Sequence, residues 1–342
     1  MLNKFILFLC PLVFVSCVSL STIEIQVLEP ADNPLVPETE NVIILNRTII
    51  EEVETGNIEE SYLPHDNVEL FNKASTEIIF ALADILNESP GIAPTDESRL
   101  LEIPQKEIVK DPGMLEPEFI VFLCDSLNAN AILSLEYLGM QLPDKIKLSQ
   151  RRNEAYIRNY YIGEISLEIN ALWRAYRGND GGVMDEHSWS DTLVWRHASF
   201  IANEIPDFLP GPEAATLEAA YFTALAYARR ISPYWIVEER NYFSRGNRKL
   251  RRASGYIENA RFDEAEVIYK ELLERRNDNI VAAAAYNLAY LNEIRGDYRQ
   301  ALDWARRSYK IRSHPLTAEY IEILEERFEK SAELDRQLGK GN

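Results

Sequence analysis

Four histidines are the first residues to weigh for chemistry in this chain of 342 residues. His187 lies in Asp185-Glu186-His187-Ser188, and strand alternation puts Asp185 and His187 on one face, as an acid/base or metal pair would need. His65 and His314 sit in predicted turns and His197 in a separate stretch, and no HExxH, GxSxG or CxxC spacing unites them. The pair therefore reads as an exposed polar strand end, and the carboxylates are too numerous to single out two of them. Cys124 follows the apolar run Phe119 to Leu123 and reads as a small buried hydrophobe rather than a nucleophile. Gly178-Asn179-Asp180-Gly181-Gly182 has the glycines of a phosphate loop, but a phosphate cradle needs a helix directly after it. A strand follows instead, so the segment reads as a turn. No catalytic residue, metal site or cofactor is expected.

A second kind of chemistry is charge. Arg240, Arg245, Arg248, Lys249, Arg251 and Arg252 fall within 13 residues that hold no acid, beside Tyr242 and Phe243. The chain as a whole carries −19, unevenly: Glu24 to Glu118 has 22 acidic against 5 basic residues, whereas Arg229 to Arg312 has 18 basic against 12 acidic. The acidic half would be repelled by nucleic acid and by anionic lipid, so a general nucleic-acid binder is not expected. Arg248, Arg251 and Arg252 are candidate contacts for an acidic partner or for headgroups. The plainer reading pairs the run with the protein's own acidic domain or leaves it solvating a helix.

The amino terminus reads as a leader. Lys4 supplies the positive end and Phe5 to Val15 an apolar run, too short for the roughly 20 residues that span a bilayer. Val13-Phe14-Val15-Ser16-Cys17 resembles the lipobox of bacterial lipoproteins, with Phe14 where that box usually has Leu. The resemblance implies removal of residues 1–16 and acylation of Cys17, tethering the mature chain without burying its fold in lipid. Cys10 leaves with the leader, so Cys124 has no internal disulfide partner.

The elements that must position these residues follow in order. Residues 17–40, with Pro30, Pro34 and Pro37, read as a tether. Asn41 to Leu45 reads as a buried strand, and Phe71, Ala74, Ile78, Leu82 and Ile85 recur at helical spacing. Leu100 and its neighbours, Pro117 to Leu127 and Ala131 to Leu138 then give strand, helix and strand, the βαβαβ order of a helix-covered sheet. Ile165, Leu167, Ile169, Ala171, Trp173 and Ala175 alternate with polar residues, and Trp189, Leu193 and Trp195 share a face of a returning strand, which makes a long β-hairpin. Pro206, Pro210, Gly211 and Pro212 form a rigid connector before an Ala-rich helix from Glu213 to Ile231. This element order resembles the small α/β domains of the TolB amino-terminal and curli-secretion lipoprotein type.

Beyond residue 243 the pattern changes to helical repeats. Two stretches 36 residues apart match, Ala253 to Ala289, Phe262 to Tyr298 and Ala265 to Ala301, with Ala260 standing where Gly296 recurs. Small residues at these places let paired helices approach closely. The pattern resembles the tetratricopeptide repeat, carried by Leu288, Ala289, Gly296, Tyr298, Ala301 and Ala305 in the second copy and by Ala253, Tyr256, Phe262, Ala265 and Tyr269 in the first. Its period exceeds the usual 34 by two, which lengthens the turn near Arg276 to Asn279. Leu316, Tyr320, Leu324 and Phe328 recur on a following helix that would cap the stack. The resemblance implies a concave face formed by Leu250, Ser254 and Ile257, then Tyr286, Asn287, Tyr290 and Glu293. Of these, Tyr286, Asn287 and Tyr290 are candidate partner contacts, with packing under the cap as the open alternative.

Over nearly its full length the chain resembles an uncharacterised Bacteroidetes envelope lipoprotein family, through Val27-Leu28-Glu29-Pro30-Ala31 before Ile44-Leu45-Asn46-Arg47 and Ala285-Tyr286-Asn287-Leu288-Ala289 later. The expectation is a leader at 1–16, a tether at 17–40, an α/β domain at 41–243 with a mixed sheet and a long hairpin, and an all-α tetratricopeptide-like repeat with a capping helix at 244–342. The expected function is a non-catalytic envelope lipoprotein on the outer membrane facing the periplasm, binding another envelope protein or peptide. The alternatives are a ligand-binding or enzymatic α/β domain with a pocket near His187 and the Trp173, Trp189 and Trp195 cluster, or a structural part of an envelope assembly.

Overall fold

The computed structural model describes residues 19–35, 39–51, 68–92, 96, 99–106, 108–141, 145–153 and 158–340. The leader at 1–16, Cys17 and His65 lie outside the described residues. The chain forms two compact units, one from the described part of Met1–Leu28 with Trp235–Glu333, the other from Glu29–Tyr234 with Leu334–Asn342.

The larger unit is α/β. Its strands are β2 (Val42–Asn46), β3 (Leu100–Glu102), β4 (Ala131–Gln141), β5 (Lys147–Asn153), β6 (Arg158–Arg177) and β7 (Val183–Ser199), with helices α1 (Val68–Glu88), α2 (Pro117–Leu127) and α3 (Pro212–Ile231). β2 runs parallel between β3 and β4, and β6 is antiparallel to β4, β5 and β7. The sheet is buried on both faces at β2, which is why that strand reads as one continuous apolar run. Val42 and Ile44 point to a core with Phe71, Ala74, Ile78 and Leu82 of α1 and the alanines of α3, while Ile43 and Leu45 pack with Ile120 and Cys124 of α2. The predicted alternation of β6 holds: Ile165, Leu167, Ile169, Ala171, Trp173 and Ala175 share the α1/α3 face, with Trp189, Leu193 and Trp195 of β7 partly buried against them. The turn between β6 and β7 is as expected. Gly181 has φ +72°, and a Cβ there would come within 2.5 Å of Pro117 Cα at the start of α2.

Two features of this unit differ from the sequence reading. β5 was not expected, because KLSQRRN carries no apolar alternation and its described side chains are exposed. The proline connector contains a 3-10 helix, Ala202–Phe208, ahead of the expected α3.

The second unit corrects the tether. Leu20–Glu29 is a ten-residue strand, β1, paired with β8 (Tyr234–Phe243) in a two-stranded sheet. Ile23, Ile25 and Val27 alternate with exposed Thr22, Glu24 and Gln26, a half-buried strand pattern, and pack with Ile236 and Tyr242 of β8 onto the helices. The helical unit thus begins at Trp235 and includes β1, rather than starting at 244. Five helices follow, α4 (Arg248–Ile257), α5 (Phe262–Leu272), α6 (Asp278–Ile294), α7 (Tyr298–Ile311) and α8 (Pro315–Gln337). α4/α5 and α6/α7 are the two helical hairpins expected from the internal match. Asn247, Asn277 and Asp297 cap α4, α6 and α7 by accepting from main-chain N–H groups of Lys249, Asn279 and Gln300. No described helix is long and apolar enough to cross a membrane.

Candidate interaction surfaces

The candidate groove is filled by the protein itself. Tyr286, Asn287 and Tyr290 are each at most 2% exposed, so the expectation that they contact a partner is corrected. Asn287 Oδ1 accepts from the Phe243 N–H at 2.8 Å and its Nδ2 donates to the Phe243 carbonyl at 2.8 Å, completing both main-chain bonds at the end of β8. The Phe243 ring meets Tyr286 edge-on at 5.1 Å, and Tyr286 lies 4.9 Å from Tyr320 of α8. Tyr290 stacks on Tyr242 at 6.1 Å, and Ser254 Oγ hydrogen-bonds Tyr242 Oη at 3.1 Å. Leu250 and Ile257 are also buried. Strand β8 therefore occupies the face that the repeat resemblance assigned to a ligand, and burial pushes the Tyr286 and Tyr290 hydroxyls above their ordinary range. Of the two roles weighed for these residues, packing is the one observed.

Beneath that strand lies a buried charge cluster that the sequence reading missed. Arg240, counted there with the basic run, is 6% exposed and donates Nε to both Glu293 carboxylate oxygens at 2.9 and 3.1 Å. Its Nη2 reaches Glu238 at 2.5 Å, Arg327 also reaches Glu238 at 2.5 Å, and Tyr320 Oη donates to Glu293 at 2.5 Å. The cluster ties β8, α6 and α8 together. Glu293 follows Tyr286 and Tyr290 on one helical face, spacing that marks it as inward-facing.

The other arginines of the run are exposed. Arg245, Arg248, Arg251 and Arg252 project from the start of α4, whose opposite side buries Leu250, Ala253, Ser254 and Ile257. Lys249 pairs with Glu271 at 2.5 Å, and Arg252 donates to Tyr256 Oη at 3.1 Å. A separate cleft of about 450 Å³ lies between α7 and α8, lined by Arg299, Leu302, Asp303, Arg306, Glu325, Phe328 and Glu329. Phe328, expected on the capping helix, is 41% exposed at this cleft, and Arg306 bridges it to Glu325 at 2.7 Å.

In the α/β unit several of the candidate groups are engaged by neighbouring side chains. Asp185 is buried and accepts from Arg230 Nε and Nη2 at 3.1 and 2.8 Å and from Asn33 Nδ2 at 2.9 Å. This corrects its reading as an exposed strand end. His187 is partly buried, and desolvation and the Arg230 charge depress its basicity against the opposing pull of Asp185. His197 stacks on Phe208 at 4.3 Å, and in the helical unit His314 Nδ1 accepts from the Leu316 N–H at 3.2 Å. Cys124 is buried as expected, and its thiol is pushed up to about 11 by desolvation. Trp173 is fully buried and stacked on Tyr227 at 4.4 Å, so the tryptophan cluster packs core at that point. A second buried cluster, Arg47 with Glu136 and Tyr176 Oη with Glu136 at 2.9 Å, sits on the α2 face, where burial raises the Glu136 carboxyl. Among the described residues no three His, Cys, Asp or Glu side chains are grouped to hold a metal ion.

The family model for a domain of unknown function, DUF8603, matches residues 39–243, and a second, DUF6340, matches residues 251–326. No curated protein matches the sequence. Among solved structures, a protein assigned as a neuraminyllactose-binding hemagglutinin homolog from Helicobacter pylori is similar at 9% identity and TM-score 0.29, over 58% of this chain and 85% of that one. The lipoprotein GNA1162 from Neisseria meningitidis is similar at 12% identity and TM-score 0.16, over 55% of this chain and 99% of that one. At those TM-scores neither likeness bears on fold or function.

Proposed function

The chain belongs to the family of the domain of unknown function DUF8603, and from that premise we propose that it is a cell-envelope lipoprotein that binds another envelope protein or peptide without chemistry. It is held by acyl chains at Cys17 on the outer membrane, facing the periplasm. The observation that carries the binding role is the α7/α8 cleft, where the half-exposed Phe328 stands among charged residues of both signs. An apolar anchor with a polar rim is the composition of a protein-binding patch. The two helical hairpins resemble tetratricopeptide repeats, and with their inner face closed by β8, this outer cleft is a surface still open to a partner.

The test is site-specific photo-crosslinking in intact envelopes, with the photoreactive residue at Arg299 on the rim. A discrete partner band is expected from the wild type and should weaken at least tenfold in Phe328→Asp, the usual scale for losing an aromatic anchor of about 1.4 kcal/mol or more. An unchanged band in that variant, or turnover of a small molecule by the purified protein, would overturn the proposal.

A further inference from the structure

The start of β1 lies against the basic run. The Ser19 carbonyl accepts from the N–H groups of Ser244 and Arg245 at 3.0 and 3.4 Å, and Ser21 Oγ donates to Ser244 Oγ at 2.8 Å. Only two peptide units, about 7 Å at full extension, separate Cys17 from Ser19. Pairing of β1 with β8 therefore holds Ser19 beside Ser244 and Arg245, just ahead of the first turn of α4.

That turn is cationic and unspent. Arg245, Arg248 and Arg251 are exposed and have no carboxylate partner among the described residues, and the exposed Arg252 leans on the Tyr256 ring and hydroxyl. Spacing of i, i+3 and i+4 sets Arg248, Arg251 and Arg252 on one side of the helix. Glu271, an acid that acts on this face, is engaged by Lys249, and Arg252 and Arg275 also act on it. Guanidinium forks match phosphate oxygens in geometry and charge. A surface of phosphate groups would repel the stretch from Glu24 to Glu118, with 22 acids against 5 bases.

We infer that the Arg248, Arg251 and Arg252 face of α4, with Arg245 in the segment before it, rests on the phosphodiester headgroups of anionic phospholipids in the leaflet that holds the anchor. The inference depends on the reading of Cys17 as the acylated residue. Acyl chains fix the distance to the membrane, and the arginines select which face of the helical unit meets it. Each basic residue close to such a surface contributes about a fivefold preference, so the face as a whole favours contact by more than a hundredfold.

The acylated full-length protein is labelled with a nitroxide at Asn259→Cys, an exposed position in the turn that follows α4, Cys124 being buried. It is reconstituted into phosphatidylcholine vesicles with and without phosphatidylglycerol. Collisions of the nitroxide with an aqueous nickel chelate should fall about fivefold or more when phosphatidylglycerol is present, and high salt should reverse the fall. The triple variant Arg248→Glu, Arg251→Glu, Arg252→Glu should float with the vesicles as before but show no fall. Flotation with equal accessibility in both vesicles would overturn this inference alone. Failure of the wild type to float would overturn the anchor and the inference together.

Discussion

Ala260 and Gly296 stand 36 residues apart at equivalent turns of the two helical hairpins, and both have left-handed backbone, φ +53° and +76°. Glycine adopts this region freely, whereas a Cβ costs about 1–2 kcal/mol there. Ala260→Gly should therefore stabilise the helical unit by about 0.5–1 kcal/mol after the entropy of the unfolded glycine is discounted, and Gly296→Ala should destabilise it by about 1 kcal/mol. Urea unfolding followed by far-ultraviolet circular dichroism reads both, and a lower midpoint for Ala260→Gly would refute the argument. The sequence match located this pair because the turn recurs in the same register. It did not locate the ion pair of Arg240, since Glu293 lies 53 residues away and nothing in the run from 240 to 252 distinguishes the one buried arginine from the exposed ones. Local composition shows charge, and only tertiary pairing shows whether that charge is spent.

Elements with strong periodicity were legible, namely α1, α2, α3, β2, β4, the β6/β7 hairpin and the paired helices. β8 was not, because its inward face carries Glu238 and Arg240; β1 does alternate, but its partner strand is β8, more than 200 residues away in sequence. Missing β8 is also why Tyr286, Asn287 and Tyr290 were open to a partner-binding reading. Their shared helical face was evident, but the strand that covers it was not. Asn287 is the residue that docks this strand, through two 2.8 Å bonds to Phe243. Asn287→Ala leaves those main-chain groups unpaired and should cost about 2–3 kcal/mol, the usual penalty for a buried polar group without a partner. Hydrogen exchange at the Phe243 amide should quicken in the variant while the middle of α7 keeps its protection. Equal exchange at Phe243 in both proteins would show that the strand is held without Asn287.

At the scale of the whole chain, the helical unit is discontinuous in sequence, since β1 comes before the α/β unit and β8 after it. A boundary drawn at residue 244, or at the family match that starts at 251, cuts through its core. A fragment of residues 244–342 would lose Ile25, Val27 and Tyr242 from the packing against α4, α5 and α6, and would lose Arg240 from Glu293. Stripping one partner from a buried ion pair costs about 3–5 kcal/mol, and each large apolar side chain removed costs about 2 kcal/mol more. Those losses rival the whole stability of a small domain, about 5–15 kcal/mol. The fragment should therefore melt broadly, without a cooperative transition. Joining residues 19–28 through a flexible linker to residues 235–340 restores both strands and should restore a single sharp transition by circular dichroism. A fragment of 244–342 that melted as sharply as the linked chain would show that the helices stand without the sheet, and that β8 merely lies on a groove still available to a partner.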